Sequence, residues 1–181
     1  HIPSNLVMAK IDLEEDRLDA AKKRIDTALA VNPRNMETLA MEAFYYVNLK
    51  QMDKYAEVEK KALALNPACA DFYCDIGELS EGKLRFDAAP PWYQKALDID
   101  KDYWRGYYGL GMNLSRQGAE NCEKGKALLL IAFKKNRFNP WALNMIKALD
   151  RIIGDKDQNV APLYLESKTK HFTLRYFGKE A

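Results

Sequence analysis

The chain has little of what metal centres, disulfide frameworks and membrane spans are built from. Among 181 residues there are two histidines, His1 and His171, and three cysteines, Cys69, Cys74 and Cys122. The cysteines are an odd set without CxxC spacing, which excludes a four-ligand zinc site and a disulfide scaffold. Three small buried thiols in a reducing compartment is the plain reading, so a cytoplasmic location is expected. A periplasmic or exported location is the alternative if a signal was removed upstream. No apolar run approaches the roughly 20 residues of a membrane span; the longest, 127–133, is far too short. An excess of one charge is missing too, since Lys+Arg 28 against Asp+Glu 26 leaves +2. Proteins that track a phosphate backbone concentrate positive charge, which disfavours nucleic acid as a partner. The start lacks a basic-then-apolar leader and opens at His1 inside what already reads as repeat sequence, so a longer protein is expected around this chain.

What is present is a period. The stretch over residues 86–100 is echoed in its second half by 55–67 and again by 19–33. Ala28, Ala62 and Ala96 are 34 residues apart, and Pro33 and Pro67 keep the step. A fixed period of this length marks stacked helical hairpins. The first repeat, 2–35, carries stripes Leu6, Ala9, Leu13 and Leu18, Ala21, Ile25, Ala28 at helical spacing. The second, 36–69, follows with Leu39, Ala43, Tyr46 and Tyr55, Val58, Ala62, Leu65; the third, 70–103, with Tyr73, Ile76, Gly77 and Ala89, Tyr93, Ala96. Gly77 and Ala89 are small enough to let two helix axes approach, leaving Tyr93 to fill the next layer. Pro90-Pro91 must kink or delay its helix unless both lie in the first turn. In the fourth repeat Ala132 lies 36 residues beyond Ala96, read as a two-residue insertion in a long turn over 116–123. Asn139-Pro140-Trp141 opens a further helix, a fifth repeat's start or a cap over the last core face. After Gly154 a polar loop leads to alternation in which Phe172, Leu174 and Tyr176 oppose Thr173 and Arg175, as in a strand. An isolated strand is not stable, so this tail should lean on the array or lead into another domain. The expected organisation is therefore 1–154 helical array and 155–181 linker with the start of a following domain.

Residues 2–138 resemble tetratricopeptide repeats (TPR). The family pattern is best matched by Tyr107, Leu110, Gly111 in the first helix of a pair and by Ala89, Tyr93, Ala96 in the second. Lys101 stands where the third repeat would close with proline, and the first repeat lacks the aromatic and the glycine. The resemblance implies an all-α solenoid of about four helical hairpins, to which the residues beyond add a terminal helix and a short β-forming tail. It also implies a right-handed superhelix whose concave groove is lined by the first helices. A second, shorter likeness covers Phe138-Asn139-Pro140-Trp141-Ala142-Leu143-Asn144 and Lys170-His171-Phe172-Thr173-Leu174-Arg175-Tyr176. It is similar to the join between a repeat array and a gluzincin-type metallopeptidase domain in some bacterial proteins. No HExxH lies in the chain, so any such zinc chemistry sits outside it.

On the TPR register the groove candidates are Phe44, Val47 and Asn48, then Cys74 and Glu78, then Arg105, Tyr108 and Met112. That groove is apolar at the second repeat, acidic at the third, and aromatic and basic at the fourth, and suits a peptide with one apolar anchor and some charge. The same residues can equally line a solvated or internally filled groove. The clamp with which some TPR proteins grip a chaperone's C-terminal carboxylate needs Lys and Asn where Ala40, Phe44, Cys74 and Glu78 stand, so it is excluded. His171 has no patterned partner, no Gly-x-Ser-x-Gly frames Ser80 or Ser115, and Gly109-Leu110-Gly111 follows no strand as a phosphate loop would. The expectation is a non-catalytic scaffold binding protein or peptide, with no cofactor or metal; the alternative is the non-catalytic part of a larger zinc metallopeptidase. An RNA-binding repeat is disfavoured by the period and the near-neutral charge. Oligomeric state is not written in these residues.

Overall fold

The structure is a computed structural model that describes residues 2–153, 164–168 and 173–177, the last two stretches by their backbone. Among the described residues the helices are α1 (Ile2–Glu14), α2 (Leu18–Val31), α3 (Met36–Asn48), α4 (Met52–Leu65), α5 (Ala70–Gly82), α6 (Pro90–Ile99), α7 (Trp104–Arg116), α8 (Ala119–Lys135) and α9 (Pro140–Ile153). Strands β1 (Tyr164–Lys168) and β2 (Thr173–Phe177) follow. Two compact units divide the chain, His1–Leu110 and Gly111–Ala181.

Two local devices set the period. Within each hairpin the turn needs one residue at positive φ: Asp16 (60°), Lys50 (57°), Leu84 (57°) and Gly118 (121°), each 34 residues after the last. Between hairpins an Asx side chain accepts from the backbone N–H two residues on: Asn32 from Arg34 (3.1 Å), Asn66 from Ala68 (3.0 Å), Asp100 from Asp102 (2.8 Å) and Asn136 from Phe138 (3.2 Å). This explains why the turn survives where Lys101 replaces proline: the Asx oxygen imposes it and proline only assists. Asn35 caps α3 by accepting from the Thr38 amide at 2.8 Å, and Asn139 caps α9 by accepting from the Trp141 and Ala142 amides, both at 3.1 Å.

In the first unit the stripes expected from the sequence form one core of Leu6, Ala9, Leu13, Ala21, Ile25, Leu39, Val58, Ala62, Phe72, Ile76 and their neighbours. Tyr93 lies between two glycines. A Cβ on Gly77 would meet its Cε1 at 2.8 Å and one on Gly109 at 2.3 Å, so the ring occupies the space both give up. The first helices α1, α3 and α5 pack on one another, and even α1 reaches α5. Near the end of α5, Lys83 pairs with Asp16 and donates to Asn48 at 3.2 Å, and Arg85 donates to Asn48 at 2.9 Å.

Pro90-Pro91 delay the helix. The residue 34 beyond the start of α4 is Phe86, yet α6 begins at Pro90, one turn later, with both prolines in its first turn. Lacking N–H groups, they cannot donate to the Phe86 and Asp87 carbonyls, so the chain turns there instead.

In the second unit, the Gly111–Arg116 end of α7 packs on α8, where a Cβ on Gly111 would meet Leu129 Cγ at 2.8 Å. Ala142, Ile146 and Leu149 of α9 face α8, and Lys126 pairs with Asp150 at 2.5 Å. The long turn expected at 116–123 is not formed. Helix α8 starts at Ala119 and runs 17 residues against 14 in α4, so the insertion lengthens the helix. The tail is also more than one strand: β1 pairs antiparallel with β2, Leu165 opposite Tyr176 and Ser167 opposite Leu174. A lone strand's unmet N–H and C=O groups explain why the chain doubles back. His171 and Phe172 lie outside the described residues.

Candidate functional site

The structure treats the eight groove candidates unequally. Phe44 is 1% exposed and Cys74 0%, both within the core and not on a lining surface. The physical reason is the direct packing of α3 on α5, which turns the middle of each first helix into an interior position. Burial pushes the Cys74 thiol up to about 12, leaving an inert thiol. Asn48 donates to the Phe44 carbonyl at 3.0 Å and accepts from Lys83 and Arg85, a tie between helices. Val47 and Tyr108 are half-buried, the latter tilted against Trp104 at 6.2 Å between centroids. Met112 is half-buried in the second unit.

Glu78 and Arg105 are brought together. The Arg105 guanidinium is held by Asp71, by Asp75 at 2.7 Å and by Glu78 at 2.8 Å, and the Tyr103 hydroxyl donates to Asp71. Burial raises Asp75 to about 6, because Arg105 offsets only part of the cost of a desolvated carboxylate flanked by Glu78 and Asp71. Arg105 is itself desolvated, but Glu78 and Asp75 hold it more firmly charged. Three carboxylates on one cation leave this face of α5 negative.

A second constellation was missed by the sequence reading. Ile25, Glu59, Tyr93 and Leu129 take the same repeat position, so Glu59 is the one carboxylate in a line of core side chains. Its compensation comes from three helices. Tyr55 of α4 donates to Glu59 at 2.6 Å and Tyr73 of α5 at 2.8 Å, while Lys95 of α6 lies 3.2 Å from it. The Lys95 nitrogen also lies 5.4 Å from the Tyr55 ring centroid, 5.3 Å from Tyr73 and 5.1 Å from Trp92. Burial alone would raise Glu59, but the hydrogen bonds from Tyr55, Tyr73 and Lys95 hold it below the usual carboxylate range. Both phenols are pushed up, by burial first and then by the carboxylate, so they remain neutral donors. The available signal was the register itself: an acid where an apolar or aromatic residue belongs.

Register also identifies Trp141, which takes in α9 the position of Glu37, Asp71 and Arg105 in their helices and is 71% exposed. Among the described residues no group of three or more His, Cys, Asp or Glu is placed to hold a metal ion, and no helix is long and apolar enough to cross a membrane.

No protein-family model matches the chain. A curated relative, human "Protein O-mannosyl-transferase TMTC3", is 25% identical over 119 residues, which is 64% of this chain and 13% of that protein. The chain thus spans about an eighth of that relative's length. Three solved structures have similar folds. The thermophilic TPR protein TTC0263 of Thermus thermophilus has TM-score 0.50 and 19% identity, over 88% of this chain and 86% of that one. A MamA crystal structure has TM-score 0.52 and 20% identity, over 83% and 87%. Yeast Tom70 has TM-score 0.58 and 18% identity, over 86% of this chain and 33% of that one. The fold is that of a TPR helical array.

Proposed function

We propose that the chain is a protein-binding module that takes a basic peptide segment of its partner on the first-helix face at α5 and α7. The observation that carries this is the convergence of Asp71, Asp75 and Glu78 on the single cation Arg105, with Asp71 and Glu78 open to solvent. A Lys or Arg of the partner adds the charge this face lacks, and half-buried Tyr108 supplies apolar contact beside it. The contact is expected to be salt-sensitive, because exposed charges are screened over about 8 Å at physiological ionic strength.

A peptide array tests this. Spots rich in Lys and Arg should bind, and the signal should fall at least tenfold in the Asp71→Asn/Glu78→Gln variant and in high salt. Binding without enrichment for basic residues, or left intact by the variant, overturns the reading. A further reading, that the array precedes a peptidase domain, draws support from β2 forming where the gluzincin-like stretch falls. Coding sequence beyond Ala181 that runs into HExxH would uphold it, and sequence without that motif would end it.

A further inference from the structure

We propose that Tyr55, Tyr73, Trp92 and Glu59 form a receptor for an alkylated ammonium group, filled by Lys95 in the free protein. The site lies on the second-helix side of the hairpins, away from the α5–α7 face, and stands or falls independently of it.

The argument rests on a contrast between walls and plug. The walls are fixed: Tyr55 and Tyr73 are buried, and their hydroxyls are locked on one carboxylate at 2.6 and 2.8 Å. Trp92 is tilted against Tyr55 at 5.5 Å, closing a third side. The plug is loose: the Lys95 side chain is 46% exposed, and both its polar contacts, to Glu59 and to the Tyr55 hydroxyl, are long at 3.2 Å. The faces of Tyr73 and Trp92 and the hydroxyl edge of Tyr55 converge on one point, which lies within the roughly 6 Å over which the Tyr73 and Trp92 ring quadrupoles attract a cation and 3.2 Å from the Tyr55 oxygen. A negative charge is built into the floor at a position where the other repeats carry Ile25, Tyr93 and Leu129. Packing alone is better served by an apolar side chain there, as in those repeats.

A primary ammonium is a poor occupant of such a box. It is strongly hydrated and loses that water on entering, while two ring faces and a phenol oxygen return only part of the energy. An alkylated ammonium carries the same charge with weaker hydration and meets the rings with methyl groups, so it should displace Lys95, whose exposed stem lets it swing into water. The walls are already in place, and the exchange requires little reordering of the protein.

The test is titration with tetramethylammonium chloride, followed by calorimetry and by NMR of the intact chain. The wild type should bind weakly and Lys95→Ala about tenfold more tightly, since the vacated box no longer has to expel its own cation. Tert-butanol, similar in shape and uncharged, should not compete. Adding Glu59→Gln or Trp92→Leu to Lys95→Ala should each lower affinity about tenfold. Nε-trimethyllysine in a peptide and choline carry the same group; tighter peptide binding assigns the box to a protein partner, tighter choline to a small amine. A Lys95→Ala protein with unchanged helicity that binds none of these three cations overturns the proposal, as does equal binding of tert-butanol. If Lys95→Ala does not fold, the wild type decides: a saturable shift lost in Trp92→Leu upholds the receptor, and no shift rejects it.

Discussion

Single residues carry the clearest cost where the backbone asks for a conformation the side chain resists. Leu84 sits at φ 57° and is 75% exposed, so it carries the left-handed strain of its turn with no packing in return. Leu84→Asn should therefore raise stability by about 1 kcal/mol, measured by urea unfolding; an unchanged or lowered midpoint would show that the turn is not strained. Asp75 gives a pH effect. Its folded pKa of about 6 lies above its ordinary 3.8, so the folded state holds the proton more tightly. Stability from this group is highest below about pH 4, falls as pH rises to about 6, and is level above, a difference on the order of 2–3 kcal/mol. Glu59 and Asp12, both held low, act in the opposite sense as pH drops below about 4.5, so the quantity to compare is wild type against Asp75→Asn. The fall between pH 4 and 6 should disappear in the variant; parallel curves would rule out the raised pKa. None of this was legible in the chain, because Asp75 reads as one more acid on a helix until burial and Arg105 are known. Phe44 and Cys74 were misplaced for a related reason: repeat register gives a residue's angle around its helix, but not how closely the neighbouring helix approaches.

At the level of the helix, the sequence was most legible where small residues meet a large one. Gly77 and Tyr93 were expected to interlock, and they do, with Gly109 of α7 closing on the same ring and Ala89 fully buried one turn before it. The fully buried Tyr93 ring cannot retreat, so a methyl at either glycine forces overlap. Gly77→Ala should cost about 1–2 kcal/mol despite the better helix propensity of alanine, and Gly109→Ala more, since its Cβ would fall 2.3 Å from the ring against 2.8 Å. Tyr93→Leu, destabilising alone, should recover most of each glycine variant's loss; losses that simply add would mean the ring is not the cause. The insertion before Ala132 was visible as a count but not as a place. Extra residues can extend a turn or a helix with the same spacing downstream, and a segment rich in Ala, Leu, Lys and Glu takes the helix. Hairpin pairing of the tail was hidden because only one of its two strands alternates cleanly in sequence.

For the molecule as a whole, the question is how far a disturbance travels. In a repeat array each hairpin touches mainly its neighbours, so damage should remain local. The first unit departs from that rule, since α1 of the first repeat packs on α5 of the third, Lys83 pairs with Asp16, and a Cβ on Gly82 would strike Glu14 at 2.4 Å. Those contacts link sequence-distant hairpins, and residues 2–82 should therefore open as one cooperative body. The second unit has its core in Leu129, Ala132, Ala142, Ile146 and Leu149, spread over two consecutive helices. Leu129→Ala removes a fully buried side chain and should cost about 2–5 kcal/mol there. Native-state hydrogen exchange separates the cases. In Leu129→Ala, protection should fall in α8 and α9 while amides of α1 to α5 keep theirs. In Ile25→Ala, protection should fall together across α1 to α5, including α5, which lies more than 40 residues away in sequence. A loss confined to α1 and α2 in the second variant would mean that the α1–α5 contact contributes nothing to cooperativity, and a uniform loss in the first would mean that the whole array unfolds as a single unit.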